Sequence, residues 1–253
     1  MILRLLTQHD EDGFTLVELL VAMAILGLVM AGVLNVYLTG NSIALTGENR
    51  AEAQNGARAS LQIEEDLRLA GYGFPPATPA FAVATATSVS FWADLTNGST
   101  ILTAPVNPGD RTFTVTSGVG VTSGDTVYLI NQSQWETRTV SGTGATTMTV
   151  SVGATSGYPV GGQVGRPRRV TYSWDGANIV TKDPGDGTGA QPAVVGVTAF
   201  ALSYYDSNNN LIALPVADLS SIRRIVIAMT VRSTATQNRS NFTLNTSVRP
   251  RNL

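Results

Sequence analysis

Few side chains in this chain are suited to chemistry. There is no cysteine, and the single histidine is His9. The chain therefore has no thiolate nucleophile, no disulfide and no zinc site of the usual His/Cys composition. Past residue 9 it has no imidazole for a Ser-His-Asp triad. Five groups remain. Glu18 is the only ionisable residue in the 21-residue apolar run Phe14–Leu34. Asp183 and Asp186 share the glycine loop Asp183-Pro184-Gly185-Asp186-Gly187-Thr188-Gly189. Arg166, Arg168, Arg169, Arg223 and Arg224 form two basic clusters. Trp92, Trp135 and Trp174 are spread through the β-prone part, and Lys182 is the one lysine.

Each group has a bland reading beside a functional one. The two loop carboxylates suit calcium by their oxygen chemistry, but they are too few and wrongly spaced for an EF-hand loop, so a plain turn is expected. The arginines could meet nucleic acid. In a strand-like context, pairing with Asp and Glu across a sheet is the better expectation. The tryptophans could stack on sugars, but core or partly buried packing is expected of them. Lys182 beside a Ser or Thr could form a hydrolytic pair; beside Asp183 in a turn it is expected to be solvated. No catalytic set results, and no cofactor or metal is expected. That leaves Glu18. A carboxylate inside a membrane span costs about 2.5–3.5 kcal/mol, which makes it a functional candidate by default.

The element that positions Glu18 follows from length and period. Twenty-one apolar residues at ~1.5 Å per residue match a hydrocarbon core of ~30 Å. From Asn41 to Ala70 there is no proline, and the second half is rich in Ala, Leu, Glu, Gln and Arg. The spacings Ala53, Ala57, Leu61 and Ile63, Leu67, Ala70 predict one buried stripe, with Leu61, Leu67 and Ala70 in the core. Gly71-Tyr72-Gly73-Phe74-Pro75-Pro76 ends the helix. One helix from Phe14 to Ala70 would be ~85 Å long, with Gly40–Gly47 its weakest stretch.

After Pro79 the period changes to two. The predicted strands are 88–93, 111–116, 126–131, 136–141, 146–152, 169–174, 195–205, 222–232 and 242–248. The stretch 97–165 is the richest in Thr, Gly and Val. Its two similar phrases are Thr112-Phe113-Thr114-Val115 and Thr147-Met148-Thr149-Val150, too short to establish a tandem repeat. It reads as a β subdomain inserted into a larger sheet. The fold class is α+β: a long N-terminal α-helix, its first half transmembrane, packed on an antiparallel β-sheet.

Gly13-Phe14-Thr15-Leu16-Val17-Glu18 resembles the class III signal of type IV prepilins and pseudopilins. The resemblance implies cleavage after Gly13 by a membrane peptidase, N-methylation of Phe14, and pairing of Glu18 with the N-terminal amine of a neighbouring subunit. A buried carboxylate is penalised until it meets a cation, so the pairing would set the register of docking. Glu65-Asp66-Leu67-Arg68-Leu69-Ala70-Gly71-Tyr72-Gly73 resembles the helix end of PilW-type minor pilins. The last strand followed by Arg249-Pro250-Arg251-Asn252 is similar to the ending of minor pilins and J-type pseudopilins. The segment 1–13 departs from the usual basic leader, because Arg4 is joined by Asp10, Glu11 and Asp12. Orientation follows Lys and Arg more than net charge, so Arg4 can still hold this end in the cytoplasm.

The implied organisation is a leader at 1–13, a transmembrane half-helix at 14–36, an amphipathic half-helix at 37–72 and a β-rich head at 73–253. Loss of Arg4, Asp10, Glu11 and Asp12 with the leader leaves 15 cations and 15 anions, so no specific nucleic acid is expected as partner. The expected partners are prepilin peptidase, other major and minor pilins, and the inner membrane before assembly. The implied location is a single-pass inner-membrane protein with a periplasmic head, later part of an extracellular pilus. The implied function is that of a non-enzymatic minor type IV pilin supporting assembly, adhesion or motility, near the tip. A J-type pseudopilin of type II secretion and a pilus-borne adhesin that binds glycans through its head are the alternatives.

Overall fold

The computed structural model describes residues 15–76, 78–132, 134–232 and 241–253; helix residues 42 and 44–53 are described by backbone alone. The chain divides into two units, residues 1–48 and 49–253. A single helix, α1 (Leu16–Arg68), contributes to both. It is unbroken across Gly40–Gly47. Interior glycines cost a helix roughly 1 kcal/mol each relative to alanine, but they leave the hydrogen-bond ladder intact where a proline would not. The fold is α+β, and among the described residues every strand pairing is antiparallel.

In the second unit the end of α1 docks through Ala59, Ile63, Leu67 and Ala70, all buried at three- and four-residue spacing. Leu61 corrects the expected stripe: it is 57% exposed, while Ile63, two residues on, is buried. Ala57 and Leu61 fit a helical period, but the face that meets the sheets is set one step around. At Gly56 the helix runs close to Val231, and an added Cβ would sit 3.1 Å from a Val231 methyl.

Two sheets share this core with the helix. The first holds β1 (Phe81–Ala84), β2 (Ser88–Ala93), β9 (Arg168–Trp174), β10 (Ile179–Asp183) and β11 (Gln191–Val195), in that order. The second is β12 (Val197–Tyr205), β13 (Arg224–Arg232) and β14 (Asn241–Val248). The expected single strand 195–205 is thus two strands in different sheets. Gly196, at φ 83°, turns the chain between them. Strands β1 and β10 had no clear alternation, because each is short and buried or half-buried on both faces.

Strands β2 and β9 are hydrogen-bonded neighbours, Ser88 opposite Ser173 through Ala93 opposite Arg168. Between them in the chain lies a six-stranded sheet. It comprises β3 (Thr100–Ile101), β4 (Thr112–Thr114), β5 (Thr126–Asn131), β6 (Gln134–Thr143), β7 (Thr147–Val150) and β8 (Gln163–Gly165). Their order is β3-β8-β5-β6-β7-β4. The two ends then meet: Leu102 bridges Val115, and Thr103 N–H donates to the Thr114 carbonyl at 2.9 Å. The sheet closes into a small barrel with its own apolar interior, including Leu102, Phe113, Val127, Leu129, Met148 and Val164. Closure leaves no unpaired strand edge to recruit another chain. The two similar phrases are neighbours here, with Phe113 opposite Met148, both buried. Their likeness is the shared in-out alternation of two strands facing one interior.

Candidate functional site

Gly13 and Phe14 lie outside the described residues. Glu18 sits in the first turn of α1. Its carboxylate accepts from the Thr15 backbone N–H at 3.0 Å and from the Thr15 hydroxyl at 3.0 Å, while the Glu18 N–H donates to Thr15 Oγ1 at 3.2 Å. The Leu19 N–H reaches the Thr15 carbonyl at 3.2 Å. This reciprocal arrangement is a capping box, which satisfies donors the first helical turn leaves open. The signal was present in the sequence as Thr-x-x-Glu ahead of an apolar run. The cap supplies hydrogen bonds to the carboxylate but no countercharge.

Leu16–Asn41 is long and apolar enough to cross a membrane, with mean hydropathy 2.5, and none of that window is buried by the chain itself. Leu19, Leu20, Met23, Leu26, Met30 and Leu34 are all exposed. An apolar surface of that size without a partner is unstable in water and needs lipid or other helices.

In the head, the structure brings together polar residues from distant segments. Lys182, the one lysine, is not solvated as expected. Its Nζ lies 2.5 Å from Asp66 Oδ2 on α1, and the Tyr172 hydroxyl donates to the same oxygen at 2.5 Å. The cause is the strand period: Lys182 is opposite Tyr172 on the face of β10 and β9 that meets the helix, whereas Asp183 points away. Burial, reinforced by the neighbouring Asp66 carboxylate, pushes the Tyr172 phenol far above its ordinary range. The group is therefore a neutral donor locking the helix to the sheet.

The first arginine cluster divides. Arg166, 4% exposed, pairs with Asp125 at 2.8 Å and donates to Thr96 Oγ1 at 3.0 Å. Arg168 reaches Asp125 at 3.6 Å and Asp186 at 3.9 Å. Arg169 instead donates to the Ser90 hydroxyl at 2.8 Å. In the second cluster Arg223 donates to the Ser220 and Ile222 carbonyls, and Arg224 stacks over Tyr205. Arg166 and Arg168 do meet acids, but Asp125 and Asp186 lie in connections just outside β5 and β10, so the pairing is not the expected one across a sheet. Among the described residues no group of three or more His, Cys, Asp or Glu could hold a metal ion. In the Asp183–Gly189 loop Asp183 accepts from the Gly185 N–H and Asp186 from Thr188, with Arg168 beside Asp186 as well.

The tail has a structural use. The Arg251 N–H donates to the Arg68 carbonyl at 3.1 Å, so the chain's end satisfies an open carbonyl at the end of α1. Trp92 and Trp174 are the partly buried packing residues expected, Trp174 against the main core, whereas Trp135 departs from that expectation and is 43% exposed.

Residues 9–34 match the family described as the prokaryotic N-terminal methylation motif. No curated protein and no solved structure matches the chain. The motif supports a type IV pilin-like or pseudopilin protein, a structural class and not an enzymatic one. It implies processing by prepilin peptidase and assembly with other pilins. With the apolar helix that follows, it fits a membrane-anchored pilin.

Proposed function

We propose that the chain is a minor type IV pilin of PilW type, a non-enzymatic subunit incorporated near the tip of a pilus. It is cut after Gly13, methylated on Phe14 and held in the inner membrane by α1, with its amino terminus cytoplasmic and its head periplasmic, until assembly. One observation carries this reading: the methylation motif at 9–34 coincides with a lone carboxylate, Glu18, in the first turn of α1, whose span Leu16–Asn41 is otherwise uncharged and apolar. In hydrocarbon the capped carboxylate still lacks a countercharge. The N-terminal amine of a neighbouring subunit supplies one, so correct axial register is favoured over a register one turn away. The 97–165 block acts as an inserted module on the head. A closed barrel between β2 and β9 favours a displayed pilus component over a J-type pseudopilin, for which a bare helix and sheet suffice.

The test separates capping from assembly. Glu18→Gln keeps an acceptor for Thr15 but removes the charge. The variant is expected in membranes at normal level, processed, and at least about tenfold depleted from sheared filaments by immunoblot. Normal incorporation of both Glu18→Gln and Glu18→Ala would show the pairing role to be wrong. N-terminal mass spectrometry of the filament subunit should begin at methylated Phe14.

A further inference from the structure

On its outer face the barrel carries a cross-strand row: Trp135 on β6, Ile130 on β5 and Gln163 on β8. The turn after α1 lies over one end of this row. It comes that close because Gly165 has no side chain, an added Cβ there falling 1.9 Å from the Gly73 carbonyl oxygen. Between turn and barrel is a cleft of about 460 Å3. Its lining includes Tyr72, Phe74 and four amides, Asn131, Gln132, Gln163 and Asn252, and no charged side chain. Aromatic rings continue from it in both directions. Phe74 stacks on Trp92 at 5.5 Å and meets Tyr128 at 5.4 Å, and Tyr128 meets the exposed Trp135 at 6.0 Å.

A second observation falls on the same rim. Asn131 pairs with Gln134, so the hairpin connection has two residues, a length that favours Asn or Gly with positive φ. This chain places Gln132 there at φ 52°. Among the described residues, the non-glycine positions with positive φ are Asn97, Gln132 and Asn209. Asparagine tolerates that region by bonding locally; glutamine gains no such relief. A strained backbone that keeps a long amide at a cleft mouth points to use of the side chain.

We propose that this cleft binds a neutral oligosaccharide. Each amide offers both donors and acceptors, which matches vicinal hydroxyls, and flat aromatic faces match the apolar face of a pyranose ring. An anionic or cationic ligand finds no countercharge here. A wholly apolar one would strip water from four amides without replacing their hydrogen bonds. A peptide adding as a strand has no edge to join, since β5 is paired on both sides. The inference goes beyond the assembly reading and does not rest on it.

The test uses the full chain in a zwitterionic detergent free of glycosides, first on a glycan array of neutral and sialylated sugars. Tryptophan emission is then titrated with chito-, cello- and malto-oligosaccharides of three to six units. Saturable binding of a neutral sugar is expected, weakened at least tenfold by Trp135→Ala and by Gln163→Ala. Gln132→Gly relieves the backbone, so its thermal midpoint should hold or rise while affinity falls. Absence of neutral-sugar binding, preference for sialylated or peptide ligands, or affinity indifferent to both Trp135→Ala and Gln132→Gly overturns the proposal. Glu18→Gln should bind the sugar as the parent does, so failure of one reading is distinguishable from failure of the other.

Discussion

Arg166 holds the barrel to the rest of the head, and its surroundings say how much depends on it. It is buried, ion-paired to Asp125, bonded to Thr96 through its guanidinium, and its backbone N–H donates to Ser99 Oγ at 3.1 Å. Removing one partner of a buried pair leaves the other charge uncompensated, which costs about 3–5 kcal/mol. Arg166→Ala should therefore lower the urea midpoint of the head by that equivalent, while Arg169→Ala, which breaks only a bond to Ser90, should cost under about 1.5 kcal/mol. Gly165 is as demanding for a steric reason. Gly165→Ala has to displace backbone and should destabilise by at least about 1–3 kcal/mol, read by the same denaturation.

At the scale of elements, α1 carries the clearest contrast. Leu67 is fully buried against the sheets and Leu61 is exposed. Leu67→Ala should cost about 2–5 kcal/mol and Leu61→Ala within about 0.5 kcal/mol, measured by thermal or urea unfolding. Equal effects would contradict the docking face. Both residues obey a helical period, so sequence spacing alone cannot choose between adjacent faces. The strands show the same limit. Alternation located β2, β5, β9, β13 and β14, but β1, β3, β8 and β10 are too short or too evenly buried to alternate. Gly196 divides what period two reads as one run.

For the molecule as a whole, the acid limit follows from the seam between barrel and head. Asp94 and Asp125 are both there. Burial raises each carboxyl, but hydrogen bonds from Ser99, Gly98 and Thr96 to Asp94, and from Arg166 and Thr122 to Asp125, outweigh it and hold both below the ordinary carboxylate range. A depressed folded value means stability is complete above the unfolded pKa of about 3.9 and is lost as pH falls through the folded value. The urea midpoint should be flat from neutral pH to about 5 and fall below about pH 4. Asp94→Asn should be less stable than the parent at pH 7 and show a smaller further loss at pH 3.

The methylation motif, the apolar helix, the two hydrophobic periods and the exclusion of thiol chemistry are properties of neighbouring residues or of composition, and sequence alone determined them. Barrel closure, the pairing of Lys182 with Asp66 and the amide-lined cleft join segments far apart in the chain; Tyr172 and Asp66 are 106 residues apart. Only the tertiary structure decided these, because which faces meet depends on packing across the whole head, and no local pattern encodes it.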